Sequence, residues 1–219
     1  MPIRNACFFS YRHRPGKDYG ICIDDIYETL EEEISLHLTN QGVFRDLKRL
    51  KGGDLLDPAL AFELCGSACM VMVYIPPYFD ESETYCAREF RAMLALEDKR
   101  LSQLNGPAKL HGLIIPIICR DWDYFPESIK AKRLLYNFEP YLMQKKRVSQ
   151  HKEGRQKIIE IAHYIVDRVR DIHASGADPC QDCSGFTLPP PSEEIVKWVR
   201  DVQNPQSVKS QNLLPGRTS

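Results

Sequence analysis

The chain is short of net charge: 29 Lys and Arg face 30 Asp and Glu, leaving −1 at pH 7. A dedicated nucleic-acid binder would carry a basic excess, so no nucleic-acid partner is expected. Long apolar runs are missing as well. Nothing approaches the roughly 18 residues of a membrane span, and the opening MPIRNACFFSYRHR has no signal-type hydrophobic region. The expectation is a cytoplasmic protein with no membrane partner. Neither phosphate-cradling pattern, GxxxxGK followed by Ser or Thr or GxGxxG, occurs. Internal repeats are absent too.

What is present is ordinary for a globular chain: 43% hydrophobic and 27% charged residues. A length of 219 residues suits one domain with a tail, able to bury roughly 70% of its unfolded surface. Of eight cysteines, Cys7, Cys22, Cys65, Cys69 and Cys119 fall in or beside apolar segments. There they read as small buried hydrophobes in a reducing compartment, not as a disulfide framework. Cys180-x-x-Cys183 with His173 nearby could be part of a zinc site, but a second ligand pair at suitable spacing is missing, and no metal is expected. Lys145, Lys146 and Arg147 read as a solvated basic cluster.

Strand and helix patterns alternate. Ala6 to Phe9 is a short apolar run with a polar exit at Ser10-Tyr11. Ile21 to Thr39 repeats apolar residues near a 3.6 period, predicting a helix. Gly42 to Arg45 reads as a second strand, Leu55 to Cys65 as a helix, and Ala68 to Ile75 as a central strand covered on both faces. A helix over Ser82 to Leu101 follows, then a strand over Gly112 to Cys119 in which Pro116 predicts a bulge or an edge. Leu134 to Phe138 is a weaker strand and Gln156 to Ile172 a long amphipathic helix. The fold class is therefore α/β, a parallel sheet of about five strands with helices on both faces. Residues 1–174 form the domain. Residues 175–191, rich in Gly, Pro and polar residues, read as a linker, 192–203 as a short C-terminal helix, and 204–219 as a disordered tail.

In such sheets the binding crevice lies beyond the carboxyl ends of the strands. That rim holds Ser10 to Arg14, Asp46 to Asp54, Pro76 to Tyr85 and Arg120 to Phe125. The segment SETYCAREF, Ser82 to Phe90, opens a helix at this rim, with Ser82 as the expected N-cap. Tyr85 and Glu89 are four apart and share a face. A ring one turn from a carboxylate can hold a flat base or a sugar beside a negative charge. The bland alternative for Glu89 is a solvated helix carboxylate.

The order FFSYRH at Phe8 to His13, VFRD at Val43 to Asp46 before a Gly-containing loop, Cys65-Gly66-Ser67, and PPYFDESETYCAREF resembles a TIR (Toll/interleukin-receptor-type) domain over about residues 5 to 172. The last element is similar to the family pattern S-x-W-C-x-x-E-L, with Tyr85 at the tryptophan position and Phe90 at the leucine position. The resemblance implies a flavodoxin-like TIR fold. The mobile loop carries Gly52-Gly53 where the family often has Pro-Gly. No receptor, death-domain or nucleotide-switch module accompanies the segment, which is the pattern of bacterial stand-alone TIR proteins.

By that resemblance Glu89 is the carboxylate that cleaves the nicotinamide–ribose bond of NAD, with NAD as substrate and no cofactor. Water as acceptor gives ADP-ribose; an acceptor within the dinucleotide gives a cyclic product. Such a NAD glycohydrolase or ADP-ribosyl cyclase would serve antiphage defence, either by depleting NAD or by signalling to a separate effector protein. Phe9, Ser10, Tyr11, Arg12, Arg45, Asp46, Leu50 and Tyr85 are the expected substrate-binding residues, with Arg12 suited to a pyrophosphate. Lys48 flanks the loop. Gly52, Gly53, Ser67 and Cys86 are assigned to loop or packing roles, and Asp46 and Ser67 suit loop anchoring or capping as well as ligand contact. The rival class is a non-catalytic module that scaffolds a complex through TIR–TIR contacts. The two overlap, because self-association is expected to order the loop.

Overall fold

The computed structural model describes residues 3–13, 17–46, 55–142, 147–176, 178 and 182–204. Its centre is one all-parallel sheet of five strands in the order β2-β1-β3-β4-β5. The strands are β1 (Asn5–Tyr11), β2 (Val43–Phe44), β3 (Ser67–Tyr74), β4 (Ile114–Ile118) and β5 (Tyr136–Asn137). Among the described residues the helices are α1 (Lys17–Ser35), α2 (Leu56–Cys65), α3 (Tyr85–Gln103), α4 (Glu127–Lys130), α5 (Glu139–Leu142), α6 (Lys152–Ser175) and α7 (Glu193–Gln203). This is the flavodoxin-like order, whose topological switch point lies between β1 and β3. None of these helices is long and apolar enough to cross a membrane.

β1 and β3 are buried at every position, as strands covered on both faces must be. Phe9 of β1 packs edge-on against Tyr27 of α1, with ring centroids 5.5 Å apart. Its neighbour Ser10 reaches Glu89 of α3 on the opposite face. This alternation divides the helices into two layers, α1 with α6 and α2 with α3.

Pro116 lies within β4 without a bulge, opposite Met72. The Met70 N–H donates to the Leu113 carbonyl on the β3 side, whereas the Phe138 N–H takes the Ile118 carbonyl on the β5 side. Parity therefore turns the donor-less Pro116 nitrogen toward β5. That strand begins pairing only at Ile117, so the missing N–H falls on a locally open edge.

Two buried ionic groups fix α3 to the amino end of the sheet. Arg100, 1% exposed, donates to the carbonyls of Cys65 at 2.7 Å and Ser67 at 2.5 Å, satisfying acceptors at the end of α2. Glu97 accepts from the Leu113 N–H at 2.5 Å and the Ile114 N–H at 3.2 Å, and pairs with Arg133.

The stretch after α6 is anchored at several points. Cys183 is bonded to Cys65, which corrects the reading of Cys65 as a lone buried hydrophobe. The two lie 118 residues apart, so no local spacing announces the pair. Leu188 is buried, and the Pro189 carbonyl accepts from Arg88 at 2.5 Å. Helix α7 then lays Ile195, Val199 and Val202 into the core. Trp198 contacts Phe79 and Phe90, with centroids 5.9 and 6.0 Å away.

Replacing Arg100 with Met is expected to leave buried carbonyls without donors. The cost should be about 3–5 kcal/mol of unfolding free energy, measured by urea denaturation.

Candidate active site

The carboxyl ends of β1 and β3 lie side by side, because Tyr11 pairs with Val73. The chain leaves β3 through Ile75 into a 3-10 turn, Pro76–Phe79, with proline in its first turn. It then enters α3, whose N-cap is Thr84. The expected cap, Ser82, is diverted: its N–H and hydroxyl both donate to Asp80, at 2.8 and 2.7 Å. This Asx-type turn delays the helix to Tyr85. A cavity of about 730 Å³ opens here, lined by the end of β1, Asp46, the Pro76–Pro77 turn, the first turns of α2 and α3, and Arg120-Asp121. The volume suits a nucleotide-sized ligand.

Glu89 sits in this wall, 7% exposed. Its Oε2 accepts from the Ser10 hydroxyl at 2.6 Å, and Ser10 is 2.7 Å from the Tyr78 hydroxyl. A serine has one hydroxyl proton, so with Ser10 donating to Glu89 the chain runs Tyr78 to Ser10 to Glu89. Among the described residues no cation pairs with Glu89; its neighbour Arg88 is turned to Asp57 and Pro189. Burial is the main influence on the carboxyl and raises its pKa from 4.5 to about 7, against the Ser10 hydrogen bond, which lowers it. A carboxyl so held favours whatever positive charge enters the cavity.

Beside it lies a second acid with different surroundings. Asp46 accepts from Nε2 of His13 at 2.5 Å and from the Tyr11 hydroxyl at 3.2 Å. The hydrogen bond to Asp46 is the largest influence on His13 and raises its pKa, with Glu89 contributing in the same direction. His13 is half-exposed and lines the cavity.

The remaining expected residues divide. Tyr11, Arg12, Asp46, Tyr85, Cys86 and Glu89 all line the cavity. Tyr85 is 42% exposed, with the Arg88 guanidinium 5.1 Å from its ring centroid. Arg12 is tied to Glu83 at 2.7 Å and Asp80 at 3.6 Å, so an anion would have to displace a carboxylate from it. Cys86 donates weakly to the Tyr11 carbonyl at 3.5 Å, and burial pushes its thiol well above the usual range, which suits packing and not nucleophilic attack.

Phe9, Ser10 and Arg45, expected to touch substrate, do not line the cavity; Ser10, 1% exposed, reaches it only through Glu89. Phe9 faces α1 and is buried, away from the cavity. Arg45, 5% exposed, pairs with Asp24 at 2.7 Å and stacks over Tyr11 at 4.6 Å and Tyr27 at 5.1 Å. It props the Tyr11 ring and does not line the cavity. Ser67 lies at the opposite end of the sheet, donating to the Glu63 carbonyl at 2.7 Å, a structural role. Lys48, Leu50, Gly52, Gly53, Lys145, Lys146 and Cys180 lie outside the described residues. Among the described residues no group of His, Cys, Asp and Glu is placed to hold a metal ion.

His13, Tyr78 and Asp121 belong to the site though the sequence did not single them out. Asp121 is the one non-glycine described residue with positive φ, at 55°. Asp tolerates this region better than most residues, and Glu139 accepts the N–H groups of Asp121 and Trp122 at 3.1 and 3.2 Å. Comparison of the chain with protein-family models, curated proteins and solved structures finds no match.

The raised Glu89 pKa has a sign for stability. A carboxyl that is harder to ionise in the fold contributes stability below its ordinary pKa of 4.5, and the contribution is lost as pH rises through about 7. The full loss is about 3 kcal/mol. Relative to the wild type, Glu89→Gln should therefore become progressively more stable between pH 5 and pH 8 in urea denaturation. Parallel pH curves for the two proteins would contradict the assignment.

Proposed function

We propose that this protein cleaves the nicotinamide–ribose bond of NAD, with Glu89 as the catalytic carboxylate, in the manner of the TIR enzymes its sequence resembles. The observation that carries the reading is a buried carboxyl, paired with no cation among the described residues, in the wall of a nucleotide-sized cavity at the β1/β3 switch point. The flavodoxin-like order supports it, because ligands of such sheets bind at this crevice.

The chemistry follows from charge. NAD brings a positive pyridinium, and as neutral nicotinamide departs, that charge passes to the ribose as an oxocarbenium-like centre. A fixed carboxylate in a desolvated wall stabilises the transition state more than it would in water. Ser10 and Tyr78 hold the carboxylate in place by hydroxyl donation alone, so no neighbouring cation in that chain competes with the substrate. Tyr85, one turn earlier and half in solvent, is placed to stack on a base. The reading includes self-association through TIR–TIR contacts, with activity per molecule rising as protein concentration rises.

Incubation with NAD should release nicotinamide, followed by chromatography and mass of the products. Glu89→Gln should lower the rate by about 10²–10³ without loss of fold. For the wild type, kcat/KM should rise with pH through about 7 as Glu89 ionises in the free enzyme. The cationic substrate should move the corresponding limb of kcat to lower pH. Tyr85→Ala should raise KM several-fold and spare kcat more than Glu89→Gln does. No nicotinamide at any protein concentration would remove the reading, as would a Glu89→Gln variant as active as the wild type.

A further inference from the structure

Transfer of a ribosyl group to an O–H acceptor releases a proton, and Glu89 is poorly suited to take it. Protonation would erase its negative charge while the ribose is still positive. We propose that His13 is the general base that accepts this proton, with Asp46 as its orienting partner. The inference rests on the NAD-cleaving reading of the site.

His13 lines the same cavity as Glu89 and feels its charge. Its Nε2 lies 2.5 Å from Asp46 Oδ2, while Asp46 Oδ1 takes the Tyr11 hydroxyl at 3.2 Å. With Nε2 donating to Asp46, the basic lone pair of neutral His13 is on Nδ1. Tyr11 is itself propped by the Arg45 guanidinium over its ring, so the dyad is oriented from behind. The other acids and the thiol of the wall are committed: Asp80 and Glu83 to Arg12, Asp121 to Arg120, and Cys86 to the Tyr11 carbonyl.

The step balances as follows. The bond from the ribose anomeric carbon to the pyridinium nitrogen breaks, and its electron pair leaves with neutral nicotinamide. The acceptor oxygen forms a new bond to that carbon, and its proton passes to Nδ1 of His13 and then to solvent. Water or a hydroxyl of the dinucleotide serves equally as acceptor, because each has one proton to lose.

An acceptor with no proton separates this role from a structural one. Wild type, His13→Gln and Asp46→Asn are each incubated with NAD in the presence and absence of 3-acetylpyridine, whose ring nitrogen attacks without losing a proton. His13→Gln should lower formation of ADP-ribose, or of a cyclic product joined through a ribose oxygen, by about 10²-fold. Pyridine exchange should fall far less, so that the exchange-to-hydrolysis ratio rises at least about tenfold. Asp46→Asn, which keeps the imidazole, should move the ratio the same way. Wild-type activity with an unchanged ratio in both variants overturns the role of His13 and leaves the NAD reading standing. A wild type that neither releases nicotinamide nor exchanges it overturns both.

Discussion

The parallel pairing of β1 with β3, from Asn5 opposite Ser67 to Tyr11 opposite Val73, is the constraint on which the rest of the molecule depends. A parallel pair cannot be closed by a tight turn, so the chain must cross over and return with β2 on the far side of β1. Among the described strands, that places the change of direction between the two longest, both buried throughout. It also levels the carboxyl ends of β1 and β3, so that Ser10 and the turn carrying Tyr78 meet one helix. The hydroxyl chain from Tyr78 through Ser10 to Glu89 exists because three segments distant in sequence end at the same height.

The C-terminal stretch bears on that junction from behind. Phe79 follows Tyr78, and Phe90 follows Glu89; Trp198 of α7 contacts both rings. Arg88, on the other side of Glu89, is held by Asp57 and the Pro189 carbonyl. Each of the two site residues is thus next in sequence to a residue gripped by the extension. Such packing limits how far α3 and the 3-10 turn can shift relative to each other. The Cys65–Cys183 bond ties the extension to α2, which joins the same layer.

Much of this was legible in the sequence because the strands are continuous apolar runs and α1 and α6 keep a 3.6 period. Glu89 and Tyr85 were legible at the rim through the order of the elements and through the resemblance, their spacing adding only a shared face. What the sequence hid was mostly geometry between neighbours. Phe9 and Tyr11 share one face of β1, but only Tyr11, at the strand's end, lines the cavity; Phe9, one pleat further in, is covered by Tyr27 of α1. Arg45 is substrate-binding by the resemblance, but three rings and Asp24 close around it. Ser82 has the right chemistry for a cap, but Asp80 two residues earlier draws its N–H and hydroxyl into a turn of their own. His13 carries no motif of its own. Its signal was the adjacency of β1 and β2, which brings the residues just beyond their ends together once Phe8 pairs with Phe44.

The two acids of the site, Asp46 and Glu89, share one rim and differ in what surrounds them. Asp46 is faced by an imidazole and a phenol; Glu89 is faced by a serine and is buried. The first arrangement satisfies a negative charge within the protein, and the second leaves it to be satisfied by something else. The desolvation that makes Glu89 costly to ionise in the empty fold is also what gives its charge reach in the cavity, since the same low-dielectric wall that penalises an unpaired carboxylate strengthens its attraction for a cation. A well-placed arginine beside Glu89 would stabilise the resting protein and remove that attraction. Arg88, the nearest candidate in sequence, is instead drawn away by Asp57 and Pro189.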